Sequence, residues 1–80
     1  MKTFDAILEA MEEVLGLDKE ELREMADANL IEEDLIDSLS VVTVLRAVER
    51  RVGFPIDLSK MKPADFVTLN RMSAAIESQK

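Results

Sequence analysis

Apolar and polar positions along the 80-residue chain alternate with a helical rhythm in three places. In the first, Phe4, Ile7, Leu8, Met11, Val14 and Leu15 recur at the i, i+3, i+4, i+7 spacing of one helix face. Asp5, Glu9, Glu12 and Glu13 fall on the other side. This predicts a helix over 4–15, with Thr3 as its N-cap and Gly16 in the left-handed position just past its end. In the second, Val41, Val44, Leu45, Val48 and Val52 share a face at 100° per residue. They predict a helix that begins after Asp37 and stops at Gly53, with Pro55 beyond. In the third, Leu69, Met72, Ala75 and Ile76 mark a last helix capped by Thr68.

The segments between are less regular. Asp18 followed by Glu21 has the spacing of a capping box and predicts a short helix through about Met25. The connection 17–37 is long for so small a domain, and such loops commonly carry function. Leu22, Met25, Leu30, Ile31, Leu35 and Ile36 are apolar anchors that pin it to the bundle. Pro63 suits the first position of a short helix over 63–66. Phe54, Ile56, Leu58, Met61 and Phe66 fill the space around it. No strand-length run of alternating β-branched residues occurs. The expected fold is all-α, a small bundle of three main helices and a short one, as a single domain over 1–80.

Composition narrows the chemistry. There is no cysteine and no histidine, so neither a disulfide framework nor a Cys/His metal cluster is available. Ser38 has no histidine to take its proton, which argues against nucleophilic catalysis and against an enzyme. The segment "DANLIEEDLIDS" opens like a calcium loop at Asp27 and Asn29. It then fails at Ile31, at Glu32 where glycine is required, and at Ser38 in place of a closing glutamate. No metal site is expected. The methionines Met11, Met25, Met61 and Met72 read as core, with the plasticity to admit a chain as the less ordinary use.

Charge is uneven. Residues 1–37 hold 13 acids against 3 bases and residues 38–80 hold 4 against 7, within a net charge of −7. That balance opposes nucleic-acid binding in spite of Arg46, Arg50 and Arg51 on the second long helix. It suits partners with a basic patch, or simply keeps the domain in solution. No apolar stretch is long enough to cross a bilayer, and acids interrupt the N-terminal apolar pattern, unlike a signal peptide. A cytoplasmic monomer without membrane insertion is the expectation.

The stretch "DLIDSLSVV" concentrates the remaining interest. Taken locally, Asp37 is an N-cap that accepts from the amides of Leu39 or Ser40, and Ser38 is an ordinary first-turn residue. Leu39, Thr43, Arg46 and Arg50 point away from the core stripe, with Val42 on the flank. Two readings stay open on these residues. Ser38 is a hydroxyl presented for modification, or the Leu39/Val42 face of an unmodified helical module binds a partner.

Over its whole length the chain resembles the acyl carrier protein family. The resemblance centres on "DSL" and extends through "LRAVERRVGFPID" and "DFVTLNRMSAAI". It implies the acyl-carrier type of helical bundle and a 4′-phosphopantetheine arm from coenzyme A, attached covalently to Ser38. The arm's thiol would hold acyl or aminoacyl groups as thioesters. Asp37 and Leu39 match the surface read by the transferase, and Val42, Thr43, Arg46 and Arg50 extend it along the helix. The implied partners are a phosphopantetheinyl transferase, a loading ligase and downstream acyl-transfer enzymes. The family's broad setting is fatty acid biosynthesis and lipid metabolism. Here, however, Leu35 and Ile36 stand where fatty-acid carriers have small residues. The acids Glu32, Glu33, Asp34 and Asp37 lie before the helix, which itself carries Arg46, Arg50 and Arg51 against Glu49. The stretch is closer to D-alanyl and peptidyl carriers. A partner built for an acidic helix would meet repulsion at Arg46 and Arg50.

Overall fold

The computed structural model describes residues 2–80 and is all-helical among them. Four α-helices appear in the order α1 (Thr3–Leu15), α2 (Lys19–Glu24), α3 (Ser38–Val52) and α4 (Leu69–Glu77). Two 3-10 turns, Leu58–Lys60 and Pro63–Phe66, lie between α3 and α4. The predicted short helix at Pro63 is thus present in its tighter form, with proline opening it. The turn Leu58–Lys60, capped by the Asp57 carboxylate accepting from the Ser59 amide, has no periodic sequence signal.

Four predicted boundaries hold for identifiable reasons. Gly16 and Gly53 sit at φ 70° and 81°, the left-handed conformation that ends a helix, and their amides bond back to Glu12 and Glu49. Thr68 caps α4 by accepting from the Arg71 amide at 3.1 Å. Asp18 caps α2 through the amides of Glu20 and Glu21. Thr3 differs from expectation. It lies inside the first turn of α1, buried, and its hydroxyl donates to the Glu77 carboxylate, while Lys2 occupies the cap position without a side-chain bond. The hydroxyl ties the start of α1 to the end of α4 rather than capping its own helix.

The core forms where the three stripes meet. Ile7, Leu8 and Met11 of α1, Val44, Leu45 and Val48 of α3, and Leu69, Met72 and Ile76 of α4 are all essentially inaccessible to solvent. α1 packs chiefly on α3 and secondarily on α4. Ala6, Ala10 and Ala47 are also buried. Their small side chains widen the buried face of α1 beyond the large apolar stripe and let neighbouring elements approach. Met11, Met61 and Met72 are core residues, and Met25 is half-buried. Leu30 is fully buried and Ile36 nearly so, which pins the long connection as expected. Ile31, expected as another anchor, instead faces solvent at 45% exposure.

Backbone bonds fix that connection in place. The Leu30 amide donates to the Val67 carbonyl at 2.8 Å, and the Asn70 amide to the Ala26 carbonyl at 3.1 Å. The Asn29 side chain accepts from the amides of Ile31 and Glu32 and shapes the turn between them. Asp27 accepts from the Asn70 side chain. The residues that imitate the opening of a calcium loop therefore have structural duties. No group of carboxylates among the described residues is arranged to hold a metal ion. Likewise, no described helix is long and apolar enough to cross a membrane.

Past Gly53, side chains hold the backbone. Glu49 accepts from the Ile56 amide at 2.6 Å and from Arg46 at 2.9 Å. Gln79 accepts from the Asp57 amide at 2.7 Å and donates to its carbonyl at 3.0 Å. The Ile56 amide, followed by Arg46, keeps the Glu49 carboxyl below its ordinary value of 4.5.

Two outcomes follow from this packing. Leu45→Ala deletes a side chain buried on the central helix and should cost about 2–5 kcal/mol in urea unfolding, a large share of a small domain's stability. A lowered folded-state pKa means that the Glu49 contribution is present above the unfolded value and lost as pH falls through the folded one. Below about pH 4.5, wild type should therefore lose stability more steeply than Glu49→Gln, measured by urea unfolding across pH 3 to 6.

Candidate functional site

Asp37 leaves the loop in an extended conformation and starts α3. Its carboxylate accepts from the Leu39 amide at 3.0 Å and the Ser40 amide at 2.8 Å, and the Ser40 hydroxyl accepts from the Asp37 amide at 2.9 Å. This reciprocal pair is a capping box with serine in the usual place of glutamate. The Asp37 cap is the expected one. The return bond from Ser40 was not anticipated, although the Asp37-to-Ser40 spacing carries its signal. The bonds from Ser40, amide first, hold the Asp37 carboxyl below its ordinary value of 3.8, so it is charged at neutral pH.

This cap decides what the next residues face. Ser38 is exposed in the first turn, Leu39 projects into solvent at 80% exposure, and Val41 turns into the core. Val42 remains 39% exposed on the flank, and Thr43 is exposed with its hydroxyl directed to the Leu39 carbonyl. Beside Ser38 lies an open apolar groove of about 380 Å³. Its lining comes from three places: Ile31 of the loop, Val41 and Val42 of α3, and Leu58, Pro63 and Phe66 of the 3-10 segment. Of these, only Val42 belongs to the contact surface expected from sequence. Val41 belongs to the core stripe of the same helix, and the remaining apolar walls come from segments distant in sequence that no periodicity joins.

Arg46 and Arg50 do not extend that surface as free cations. Arg46 pairs with Glu49 three residues on, and Arg50 reaches Glu13 of α1 at 3.1 Å. Arg51 also bonds Glu13, at 2.5 Å, and lies 3.8 Å from Glu9. The expected repulsion of a basic partner at Arg46 and Arg50 is therefore largely cancelled within the chain. The two arginines hold the Glu13 carboxyl below its ordinary value, Arg51 foremost. In contrast, Glu32, Glu33 and Asp34 are exposed, and no ion pair to them occurs among the described residues. Asp34 adopts φ 63°, a left-handed conformation that aspartate and asparagine tolerate better than most residues.

A solvent-facing serine at a capped helix start, next to an open groove and without a base, is suited to being modified by another protein. The chain belongs to the phosphopantetheine attachment site family, whose model matches residues 5–76. It is a non-catalytic carrier protein on which 4′-phosphopantetheine is attached covalently. It is 26% identical to a D-alanyl carrier protein of Lactobacillus helveticus over 98% of this chain and 95% of that one. It is 29% identical to a D-alanyl carrier protein of Lactococcus lactis over 95% and 94%. These relatives support the carrier class and lend nothing to a setting in fatty acid biosynthesis or lipid metabolism. No solved structure is significantly similar in sequence.

The residues at Ser38 fit the prosthetic group in one respect better than in another. The hydroxyl is accessible and the groove gives an arm room to lie down. The first amides of α3 are mostly engaged. Leu39 and Ser40 donate to the Asp37 side chain and Val41 to its carbonyl. The helix dipole remains favourable to an anion there.

Removing the cap tests how far Ser38 depends on it. Asp37→Ala should lower the melting temperature by several degrees and slow the chain's modification by a phosphopantetheinyl transferase, whereas Asp37→Asn should keep most of both, since asparagine caps as well as aspartate. Thermal unfolding and modification rates on the same samples check both statements.

Proposed function

We propose that Ser38 is the residue that takes the phosphopantetheine arm and that the cargo is an aminoacyl group, D-alanyl first among the candidates. The observation that carries the first part is the exposed Ser38 hydroxyl at the capped start of α3, inside the family match. The named relatives support the second.

In the loading step, the Ser38 oxygen attacks the coenzyme A phosphorus that bears the pantetheine. A serine–phosphorus bond forms, the pyrophosphate P–O bond breaks and adenosine 3′,5′-bisphosphate leaves. The serine proton passes to a base of the transferase, since this chain has no histidine to take it. When attached, the arm supplies a terminal thiol that carries the cargo as a thioester. The chain's own part is to hold the hydroxyl in a fixed and open position. Asp37 and Leu39 form the immediate contact surface, with Val42 and Thr43 behind them. Its partners are a phosphopantetheinyl transferase, an aminoacyl-loading ligase and a downstream acceptor enzyme. The cytoplasmic monomer of the sequence reading is retained.

The test is an intact mass after incubation with coenzyme A and a broad-specificity phosphopantetheinyl transferase. One phosphopantetheine should add to wild type and none to Ser38→Ala, which should fold with an unchanged circular dichroism spectrum. Addition to Ser38→Ala would place the attachment elsewhere. No addition to wild type with several transferases would favour the unmodified module that binds through Leu39 and Val42. For the cargo, the modified protein should accept D-alanine from a D-alanyl ligase at least tenfold faster than a fatty acid from an acyl ligase.

A further inference from the structure

The groove wall contributed by Leu58, Pro63 and Phe66 belongs to a segment that has two short 3-10 turns and no α-helix of its own. Its entry, at Ile56 and Asp57, is fastened by side chains from elsewhere in the fold. The Glu49 carboxylate of α3 accepts from the Ile56 amide at 2.6 Å. Gln79, two residues past the end of α4, accepts from the Asp57 amide at 2.7 Å and donates to the Asp57 carbonyl at 3.0 Å. One side-chain amide thus pairs with both backbone groups of one residue, as a neighbouring strand would. Asp57 is engaged elsewhere as well. Its carbonyl also takes the Lys60 amide, and its carboxylate takes the amide and hydroxyl of Ser59. Gln79 stands on a firm base, because its own amide bonds back to the carbonyl of the fully buried Ile76. Leu58, the residue after Asp57, begins the wall.

We propose that Gln79 and Glu49 are positioning residues for the attached arm. They hold the 58–66 wall where the first carbons of the arm can rest in the groove beside Ser38. The inference rests on Ser38 being the attachment residue. The arm is the occupant because the groove begins at the Ser38 side chain, and a tethered group reaches such a site at high effective concentration. The chemistry also matches. Next to its phosphate, phosphopantetheine carries a quaternary carbon with two methyl groups, and the groove lining is apolar except for Ser38. Neither Gln79 nor Glu49 lines the groove, so both act through the backbone at 56 and 57. Ile56 and Met61 are buried on either side of Asp57 and Leu58. Loss of one fastening should therefore shift the wall and leave the core folded.

NMR of the full chain, after intact mass has shown one added phosphopantetheine, tests this. Overhauser contacts from the arm's methyl protons to the Leu58 methyls and the Phe66 ring are compared in wild type, Gln79→Ala, Glu49→Ala and Glu49→Gln. Wild type should show the contacts. Each alanine variant should weaken them about threefold or more while thermal unfolding shows it still folded. Glu49→Gln keeps an acceptor for the Ile56 amide and should hold the contacts within about a third of wild type. That rescue separates positioning from loss of stability alone, since Glu49→Gln gives up the charge that pairs with Arg46, as Glu49→Ala does. Full-strength contacts in either alanine variant would overturn the proposal. Absence of the contacts in fully modified wild type would overturn it too, with the Ser38 reading intact. Failure to modify wild type would remove the Ser38 reading and this one together.

Discussion

The Asp37 carboxylate and the Ser40 hydroxyl close the start of α3 on each other, and the site depends on that closure. A helix left to itself exposes several unpaired amides at its first turn. Here one side chain takes two of them and another returns a bond to the backbone at Asp37. With the start held at Ser38, the helical repeat dictates the rest. Leu39 points outward, Val41 inward, and Val44, Leu45 and Val48 meet α1. A start displaced by one residue would rotate every one of these side chains by about 100°.

The loop that delivers the chain to this cap is held by its own buried residues and by borrowed backbone partners. Leu30 is the centre of that arrangement. Its side chain is in the core, its amide donates to Val67, and its carbonyl accepts from the amides of Leu35 and Ile36. The acids at 32–34 are consequently pushed to the outside of a turn whose two ends are fixed. A similar economy holds beyond Gly53, where Glu49 and Gln79 fasten Ile56 and Asp57 and so set the wall formed by Leu58 and its neighbours. The groove is thereby made from segments with little regular structure, yet each is anchored at defined backbone atoms.

Charge is apportioned in a way that composition does not disclose. The chain's net −7 suggests a diffuse acidic surface. Folding pairs Glu9 and Glu13 with Arg50 and Arg51, and Glu49 with Arg46. These are partly exposed pairs, each of small energetic worth. Their larger effect is on the field. They neutralise the middle and end of α3 and leave the loop before Ser38 as the strongly acidic feature near the hydroxyl.

Most of the helices, their glycine stops and the Asp37 and Thr68 caps were legible in the sequence, because each rests on interactions within a few residues. So was the position of Ser38 in the exposed first turn of α3, which follows from the Asp37 cap. Thr3 was misread as a cap because its partner, Glu77, is at the other end of the chain. Ile31 was misread as an anchor because apolar character alone does not say which side of a turn faces the core. The pairing of Arg50 and Arg51 was missed for a related reason, since Glu9 and Glu13 belong to another helix. The sequence by itself determined the periodic stripes, the helix ends and the presented serine, all set by local backbone bonding and the helical repeat. Only the tertiary structure decided the groove beside Ser38, because it exists where the loop, α3 and the 58–66 segment are brought together by the burial of a shared core.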